Sequence, residues 1–413
     1  MRSTILHQKQ ERDRLLSLPY LSRETKYQLD ELLASKQIKL LTGPRRVGKS
    51  TQALLMLKNK NFAYLNFDDA NLLAKWDEDL VMKTLDEVYP DYEYLLLDEV
   101  QNLDTWDLWV SKLYRNGYNL VITGSNAKLL SSEMATVLTG RYLQLEMLPF
   151  GLHETLKWNH IQSINEEVNQ QEIKVISDDY LHHGGYPETV ESRNITLSYL
   201  STLFDATIWK DIAKRHRIRN VTDLNNLAIY LLTNFCNPLS ANEIAGDLGF
   251  TSVTTAKKYM DYLKEPYLFF YLPRYNNKLK LMKKAPQKVY IVDNGFVSAK
   301  AFSLSANLGR LLENQVFIEL LRRGYDTEKS IFYYRSRNDK ETDFVLRSNY
   351  KVEKLIQVCY DLSSPKTEQR EVNSLIECAE ELKCSQLYIV TNNDERIIEK
   401  NGYNIHVVPI TKF

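Results

Sequence analysis

The segment Gly43–Ser50, with the sequence GPRRVGKS, constrains the fold of this chain more than any other stretch. It lies between the apolar run 38–42 and the run 51–57, whose apolar residues suit the buried face of a helix. Its glycines allow the backbone to curl so that successive N–H groups point inward, and the helix that follows adds the positive end of its dipole. A strand, this loop and a helix in that order predict a phosphate-binding loop in a parallel α/β sheet. A glycine turn that contains a lysine by chance is the alternative, which the agreement of all three elements disfavours.

The residue types in this loop predict its ligand. Lys49 is placed to reach the β- and γ-phosphates of a nucleoside triphosphate, and the hydroxyl of Ser50 is placed to bind Mg²⁺. We therefore expect ATP and Mg²⁺ as cofactors, and the loop alone does not separate ATP from GTP. The predicted nucleotide-binding residues are Gly43, Pro44, Arg45, Arg46, Val47, Gly48, Lys49, Ser50 and Thr51.

A second apolar run, 94–97, ends in the adjacent carboxylates Asp98 and Glu99. It follows Lys49 with one predicted strand between them, and parallel sheets bind their ligands at the carboxyl ends of the strands. Asp98 is therefore expected to hold Mg²⁺, usually through water, and Glu99 to orient or activate the attacking water. Together with the loop, the two acids predict nucleotide hydrolysis in which Lys49 and Glu99 are catalytic.

Polar residues next to two further predicted strands complete the predicted site. Ser125 and Asn126 follow the apolar run 119–123, where they could contact the γ-phosphate or the attacking water; a Gly-Ser-Asn turn is the alternative. Arg141 precedes the alternating run 142–147. An arginine at such a turn can reach the γ-phosphate of a neighbouring subunit, which would require a homo-oligomer. Pairing with a surface acid is the alternative for Arg141.

Length and composition limit the class of protein. The 413 residues are too many for one ordinary core, so two or more domains are expected. The 53 basic and 53 acidic residues cancel, so net charge indicates no partner. Four cysteines without metal or disulfide spacing indicate reduced thiols in the cytoplasm. No apolar run approaches the ~20 residues of a membrane span, so no membrane association is expected.

Several motifs together resemble the AAA-type ATPases of bacteria and archaea that are joined to a C-terminal domain of unknown function. In the first part of the chain the motifs are GPRRVGKST at 43–51, LLLDEVQ at 95–101, ITGSNA at 122–127 and LTGRYLQLEMLPF at 138–150. Farther along they are Gly184–Glu188, Trp209–Ile212, Asp293–Gly295 and Leu312–Asn314. The resemblance covers nearly the whole chain and implies an ATPase with an α/β core that is able to form oligomers.

Four domains are predicted in sequence order. Residues 1–150 form the ATPase core, 151–219 a helical lid, 220–288 a winged helix and 289–413 a C-terminal α/β domain. The glycines and proline of Gly184–Pro187 break the lid, either as a hinge that senses the nucleotide or as an ordinary turn.

The predicted winged helix carries local positive charge. Ser240 and Ser252 are predicted N-caps of its second and third helices, and 274–277 is predicted as the tip of the wing. Between Lys257 and Lys288 there are nine basic residues against two acidic ones, a balance of +7 that suits duplex DNA. Docking on the acidic segment 68–107 is the alternative. The residues expected to face a DNA groove are Thr254, Thr255, Lys257 and Lys258.

The C-terminal segment resembles the PD-(D/E)XK nucleases in the order of its acids. Glu313 lies on a predicted helix and Asp343 on a predicted strand, and the resemblance implies that such acids hold a metal. In the next strand Gln357 replaces the expected glutamate and Cys359 the expected lysine. We therefore expect a nuclease-like fold without nuclease activity.

The complete prediction is a multidomain α/β protein with a P-loop NTPase parallel sheet, a helical lid, a winged helix and a nuclease-like domain. Mg²⁺-dependent ATP hydrolysis would drive a conformational switch coupled to DNA binding. Two alternatives stay open at this stage: a nucleotide-stabilised scaffold that recruits another protein with negligible turnover, and an ATP-regulated nuclease.

Overall fold

The computed structural model describes residues 1–25, 27–124, 138, 140–161, 169–301 and 307–413. Two compact units are found, Met1–Leu148 and Pro149–Phe413. All four cysteines are buried and unpaired. Within the residues described, no helix is both long and apolar enough to cross a membrane.

The first unit is built on a five-stranded parallel sheet in the order β2-β3-β4-β1-β5. Strands β1, β3 and β4 are buried along their whole length, which explains why their sequences are mostly apolar. Because β1, β4 and β3 are neighbours, the loops after these strands lie together at one edge of the sheet. The strands are β1 Ile38–Thr42, β2 Phe62–Asn66, β3 Tyr94–Asp98, β4 Leu120–Thr123 and β5 Tyr142–Glu146.

Helices connect the strands of the first unit. Its core includes an aromatic cluster in which the rings of Trp76 and Trp109 lie 4.9 Å apart and Phe67 contacts both. A short 3₁₀ turn, Val100–Asn102, follows β3. The helices are α1 Arg2–Leu16, α2 Leu29–Ala34, α3 Lys49–Leu57, α4 Ala70–Ala74, α5 Glu78–Val88 and α6 Trp106–Arg115.

The second unit contains two sheets. A three-stranded antiparallel sheet has the order β6-β8-β7, and a six-stranded mixed sheet has the order β13-β14-β12-β11-β10-β9. The strands are β6 Pro238–Leu239, β7 Phe269–Leu272, β8 Gln287–Ile291, β9 Ile331–Arg335, β10 Glu341–Ser348, β11 Lys351–Val358, β12 Leu387–Thr391, β13 Arg396–Lys400 and β14 Tyr403–Pro409. The helices are α7 Leu152–Trp158, α8 Gln170–His183, α9 Pro187–Glu191, α10 Thr196–Ala206, a π-helix Thr207–Ala213, α11 Val221–Thr233, α12 Ala241–Asp247, α13 Val253–Lys264, α14 Leu279–Lys284, α15 Gly295–Lys300, α16 Leu308–Arg322 and α17 Pro365–Leu382.

Residues 221–291 run in the order helix, strand, two helices, strand, short helix and strand. Both predicted caps are present: the hydroxyl of Ser240 accepts from the N–H of Glu243, and that of Ser252 accepts from the N–H of Thr255. These bonds satisfy N–H groups that the first turn of a helix leaves unpaired.

The segment 274–277, predicted as the exposed tip of a wing, is instead held on the six-stranded sheet. The N–H of Tyr275 donates to the carbonyl of Tyr333 at 2.7 Å, and the guanidinium of Arg274 donates to the carbonyl of Arg335 at 2.8 Å. Since β9 is an edge strand, its unpaired backbone groups are available for this contact.

The glycine motif at 184–187 is hydrogen-bonded to the turn after β8. The buried carboxylate of Asp293 accepts hydrogen bonds from the N–H groups of Gly185, at 2.8 Å, and Gly295, at 2.9 Å. A Cβ on Gly184 would lie 1.7 Å from a carboxylate oxygen of Asp293, and the φ of Gly184 is +69°. The motif is therefore a tightly packed turn in this structure.

Two buried asparagines extend the same contact to α16. Asn294 donates to the carbonyls of Leu181 and Leu311, both at 2.9 Å. Asn314 donates to the carbonyl of Ile291 at 2.9 Å and to the side-chain oxygen of Asn294 at 3.0 Å. Three motifs of the family resemblance thus meet in one hydrogen-bonded cluster, which satisfies the polar groups that they bury.

Candidate active site

The loop between β1 and α3 has the backbone that its glycines predict. Gly43 has φ +141°, Arg46 φ +63° and Gly48 φ +85°. At Gly43 a Cβ would lie 2.0 Å from the carbonyl oxygen of Met147, so a side chain there does not fit. Helix α3 begins at Lys49, directly after Gly48. Left-handed residues at such a turn direct N–H groups into a concave surface, which is a site for phosphate oxygens.

Lys49 lies inside this loop. Its side chain is buried, and its ammonium donates to the carbonyl of Pro44 at 2.7 Å and to that of Gly43 at 3.2 Å. The loop backbone thereby holds a positive charge at the concave surface, where it can meet phosphate oxygens.

The carboxylate of Asp98 is the centre of the site. The hydroxyl of Ser50 donates to Asp98 Oδ1 at 2.7 Å, and the hydroxyl of Tyr64 donates to Oδ2 at 3.3 Å. Burial raises the pKa of Asp98 to about 6, against the opposing effect of the hydrogen bonds from Thr123 and Ser50. The two predicted Mg²⁺ ligands, far apart in sequence, are thus in direct contact.

Thr123, the last residue of β4, was missed in the sequence analysis. Its buried hydroxyl donates to Asp98 Oδ1 and accepts the N–H of Glu99 at 3.1 Å. A hydroxyl can donate one bond and accept others, so Thr123 holds both acids of β3 in place. The available signal was a polar residue at the end of the strand next to β3. Ser125 and Asn126, which were predicted to contact the γ-phosphate or the attacking water, lie outside the described residues.

Glu99 lies in the left-handed region, with φ +52°, which is uncommon for a residue with a side chain and typical of functional sites. Its carboxylate accepts a hydrogen bond from the side-chain amide of Gln101. Glu99 therefore lies beside Asp98 at the carboxyl edge of the sheet, as predicted.

Arg141 is at the opposite edge of the sheet. Strands β1 and β5 are parallel, with Ile38 opposite Tyr142, so the residue before β5 is far from the loop that follows β1. The guanidinium of Arg141 donates to the hydroxyl of Ser111 at 3.2 Å and lies over the ring of Tyr114. Arg141 does not reach the phosphate site of its own chain, and its role in a neighbouring subunit stays a prediction.

The residues of the site fit a triphosphate with Mg²⁺. Ser50 and Asp98 present two oxygen atoms at the mouth of the loop, and Mg²⁺ prefers oxygen ligands supplied by one or two protein groups together with nucleotide phosphates. No group of three or more His, Cys, Asp or Glu residues in the described part of the chain is arranged to hold a metal alone.

The residues predicted to face DNA lie on α13. Thr254, Lys257 and Lys258 are exposed, whereas Thr255 is half-buried. The predicted local charge of +7 overstates the positive surface, because Lys288 is buried and Arg274 is bonded to β9.

The four residues singled out by the nuclease resemblance, Glu313, Asp343, Gln357 and Cys359, do not all meet at one site. Glu313 on α16 and Asp343 on β10 both contact Lys288. Gln357 accepts from the N–H of Asp343 at 3.4 Å and donates to Glu371 at 2.9 Å. The thiol of Cys359 donates instead to the carbonyl of Asp361, at 3.3 Å.

Comparisons with known proteins agree with the first site. A family model described as an AAA domain matches residues 35–156. Two models described as domains of unknown function match residues 176–307 (DUF8612) and 308–413 (DUF4143). The fold and the site define an AAA-type domain of the P-loop ATPase class, which confirms this part of the resemblance.

Two relatives are similar over most of their length. An uncharacterized protein of Methanocaldococcus jannaschii, MJ1544, is 32% identical over 405 residues, which cover 92% of this chain and 89% of the relative. An uncharacterized protein of Haemophilus influenzae is 31% identical over 370 residues, which cover 84% of this chain and 88% of the relative. The chain belongs to the family of these proteins, and in this chain an AAA-type P-loop domain precedes two domains of unknown function.

Among solved structures, the chain is similar to the Walker-type ATPase PABY2304 of Pyrococcus abyssi. The two share 16% identity with a TM-score of 0.40, over 69% of this chain and 99% of that chain. Since this TM-score is below 0.5, the similarity adds no argument about function.

Proposed function

We propose that this protein is a Mg²⁺-dependent ATPase. The observation that carries the proposal is the contact between Ser50 and Asp98, at 2.7 Å, beside a glycine loop that encloses Lys49. A hydroxyl, a buried carboxylate and an ammonium in this arrangement are the groups that nucleotide hydrolysis requires.

Each residue has a role that follows from its position. The loop N–H groups and Lys49 bind the phosphates, and Ser50 and Asp98 hold the cation. When bound, Mg²⁺ neutralises charge that develops on the phosphate oxygens. Glu99 orients the attacking water and takes its proton, while Thr123 positions both acids without contacting the reacting atoms.

The test of hydrolysis is Glu99→Gln, which keeps the shape of the side chain and removes its basicity. Glu93→Gln, at an exposed position before β3, is the matched control. We expect Glu99→Gln to bind ATP as the parent does and to lose turnover by about 10²-fold or more, whereas the control keeps full turnover. Equal turnover in Glu99→Gln and the parent would reject the role of Glu99.

The ATPase is coupled to duplex DNA through residues 220–291, which form a winged helix in this proposal. Support comes from the order of the elements and the sheet order β6-β8-β7. Lys257 and Lys258 are both exposed, in the middle of α13, where they are available to DNA phosphates if this helix enters a groove.

A second basic segment, residues 214–219, packs against the end of α13. The ring of His216 stacks on that of Tyr262 at 3.6 Å, and its Nε2 lies 2.8 Å from the carboxylate of Glu265. The exposed cations of this segment are Lys214, Arg217 and Arg219. They extend the positive surface beyond α13, and phosphate contacts of this kind supply most non-specific affinity for DNA.

Nucleotide binding would alter DNA affinity, which is the proposed switch. The test is DNA binding by Glu99→Gln, which holds ATP without turnover, measured with ATP and with ADP. Affinities that differ support coupling. Equal affinities together with negligible turnover in the parent would favour the alternative, a scaffold that ATP stabilises and that recruits another protein.

The assembly and location of the protein belong to the same proposal. A homo-oligomer would allow Arg141 to approach a neighbouring nucleotide, and sedimentation with and without ATP tests this. The cytoplasm is the proposed location, because buried and unpaired thiols persist in a reducing compartment.

A further inference from the structure

A buried lysine occupies the centre of the nuclease-like cluster. Lys288 lies on β8, and its side chain is 1% exposed. Its ammonium is 2.8 Å from a carboxylate oxygen of each of three acids, Glu313 on α16 and Glu341 and Asp343 on β10. An ammonium has three N–H donors, so three carboxylate oxygens satisfy it completely.

The acids are fixed by other bonds as well. The hydroxyl of Tyr290 donates to Glu313 Oε1 at 2.7 Å, and the N–H of Val358 donates to Asp343 Oδ2 at 2.9 Å. The guanidinium of Arg335 donates to the second oxygen of Glu341 at 3.1 Å. The three acids thus share one central cationic position, which the ammonium of Lys288 fills.

The charge of the cluster keeps the lysine protonated. Burial alone would lower the pKa of Lys288, but attraction from Asp343, Glu313 and Glu341 outweighs it and raises the pKa well above its ordinary value. Lys288 therefore carries its positive charge at neutral pH.

In the PD-(D/E)XK pattern, an acid on a helix and an acid on a strand, here Glu313 and Asp343, are expected to hold a divalent cation. The residues around these two acids do not fit a divalent cation. Mg²⁺ requires oxygen ligands at about 2.0–2.1 Å around an open position, and the position that Glu313 and Asp343 share holds Lys288. The lysine comes from β8, whereas the nuclease pattern places its lysine on the strand after Asp343.

We infer that the ammonium of Lys288 is the resident cation of the Glu313–Glu341–Asp343 cluster and takes the place of a divalent ion. The native cluster then binds no divalent cation and supports no metal-dependent cutting of DNA. The same ion pairs join β8 of the three-stranded sheet to β10 of the six-stranded sheet. Removal of the ammonium converts the cluster into a divalent-cation site.

The test uses Mn²⁺ without nucleotide, followed by electron paramagnetic resonance, in full-length protein carrying Asp98→Asn to remove the metal ligand of the ATPase site. We expect Asp98→Asn to bind no Mn²⁺ at the cluster. Adding Lys288→Ala should create one Mn²⁺ site per chain and a rise in thermal stability with Mn²⁺. Adding Asp343→Asn to that protein should remove the site again.

Loss of the lysine leaves three neighbouring carboxylates that repel one another, of which Asp343 is buried, so a second variant is required. Lys288→Ala with Glu341→Gln leaves Glu313 and Asp343 as ligands and carries less unpaired charge. A folded variant of either kind that binds no Mn²⁺ overturns the inference. Mn²⁺ binding or Mn²⁺-dependent plasmid cutting by the protein that keeps Lys288 would also overturn the inference, if Asp343→Asn abolishes that binding or cutting. Should neither lysine variant fold, these measurements on the protein with Lys288 decide the question.

Discussion

The hydroxyl of Ser50, at the start of α3, donates a hydrogen bond of 2.7 Å to the carboxylate of Asp98, at the end of β3. The two residues are 48 positions apart in sequence, and the parallel pairing of β1 with β4 and of β4 with β3 brings them together. In the proposed ATPase, these two side chains would hold the magnesium ion that binds with the nucleotide.

Replacement of Thr123 by valine should impair turnover. Valine has nearly the shape of threonine and lacks the hydroxyl, so Asp98 loses a donor and the N–H of Glu99 loses an acceptor. The loss of such bonds corresponds to about 1–3 kcal/mol, or roughly fivefold to 150-fold in kcat. Steady-state kinetics measure it. Thr123→Ser, which restores the hydroxyl, should recover most of the rate. Equal rates in Thr123→Val and the parent would show that the hydroxyl of Thr123 does not contribute to the site.

The affinity of the ATPase site for Mg²⁺ should fall below about pH 6. Burial raises the pKa of Asp98 to about 6, and only the ionised carboxylate binds a cation. As the pH falls below this value, the apparent Mg²⁺ affinity should fall by about tenfold per pH unit. Titration of ATPase activity with Mg²⁺ from pH 5 to 8 measures this, and Asp98→Asn should lack the dependence. A profile that is flat through pH 6 would contradict the assignment of Asp98.

The raised pKa of Asp98 also has a consequence for stability. Its folded value of about 6 exceeds the ordinary value of 3.8. Ionisation therefore costs more in the folded state, and the contribution of Asp98 to stability is greatest at low pH and is lost as the pH rises from about 4 to 6. Asp98→Asn should remove this part of the pH dependence of unfolding.

DNA binding should depend on salt and on α13. Lys257→Ala together with Lys258→Ala removes two exposed cations, which should weaken duplex binding and lower the slope of log affinity against log salt by about 2. The same change at Lys58 and Lys60, exposed in the first unit, is the matched control and should leave binding unchanged. Fluorescence anisotropy across a salt series measures both. Equal losses in the two variants would indicate a general charge effect and no DNA surface on α13.

Gly184→Ala should destabilise the second unit. The new Cβ would overlap a carboxylate oxygen of Asp293, at 1.7 Å, and the backbone of Gly184 has φ +69° and ψ −162°, a region that is nearly exclusive to glycine. We expect a loss of about 2–4 kcal/mol in the free energy of unfolding, measured with urea. Gly246→Ala, in the exposed part of α12 with open space around its Cβ, should be neutral or stabilising. Equal stabilities of the two variants would show that the Gly184–Asp293 contact does not constrain the fold.

The phosphate loop and the two acids of β3 could be predicted from sequence because their signals are local. The spacing of Gly43 and Gly48 and the buried run before Asp98 specify backbone shape and burial within a few residues. The N-caps Ser240 and Ser252 were predictable for the same reason, since a cap bonds to an N–H only three residues away.

Thr123 and Lys288 could not be found in this way, because their roles depend on contacts that are distant in sequence. Thr123 becomes important only when the sheet order places β4 beside β3. Lys288 was counted as surface charge at a predicted domain boundary, whereas β8 runs across that boundary and buries it among three acids. Burial and ion pairing of this kind are set by tertiary structure.

The most direct test of the account is a calorimetric titration of the full chain with Mg·ATP, in the parent and in Lys49→Ala. We predict one ATP bound per chain in the parent and a loss of affinity of about a hundredfold in the variant, because the ammonium that lies inside the loop is removed. Lys58→Ala, just after α3, is the matched control and should bind as the parent does. No binding of ATP by the parent, or equal affinity in the parent and Lys49→Ala, would contradict the account.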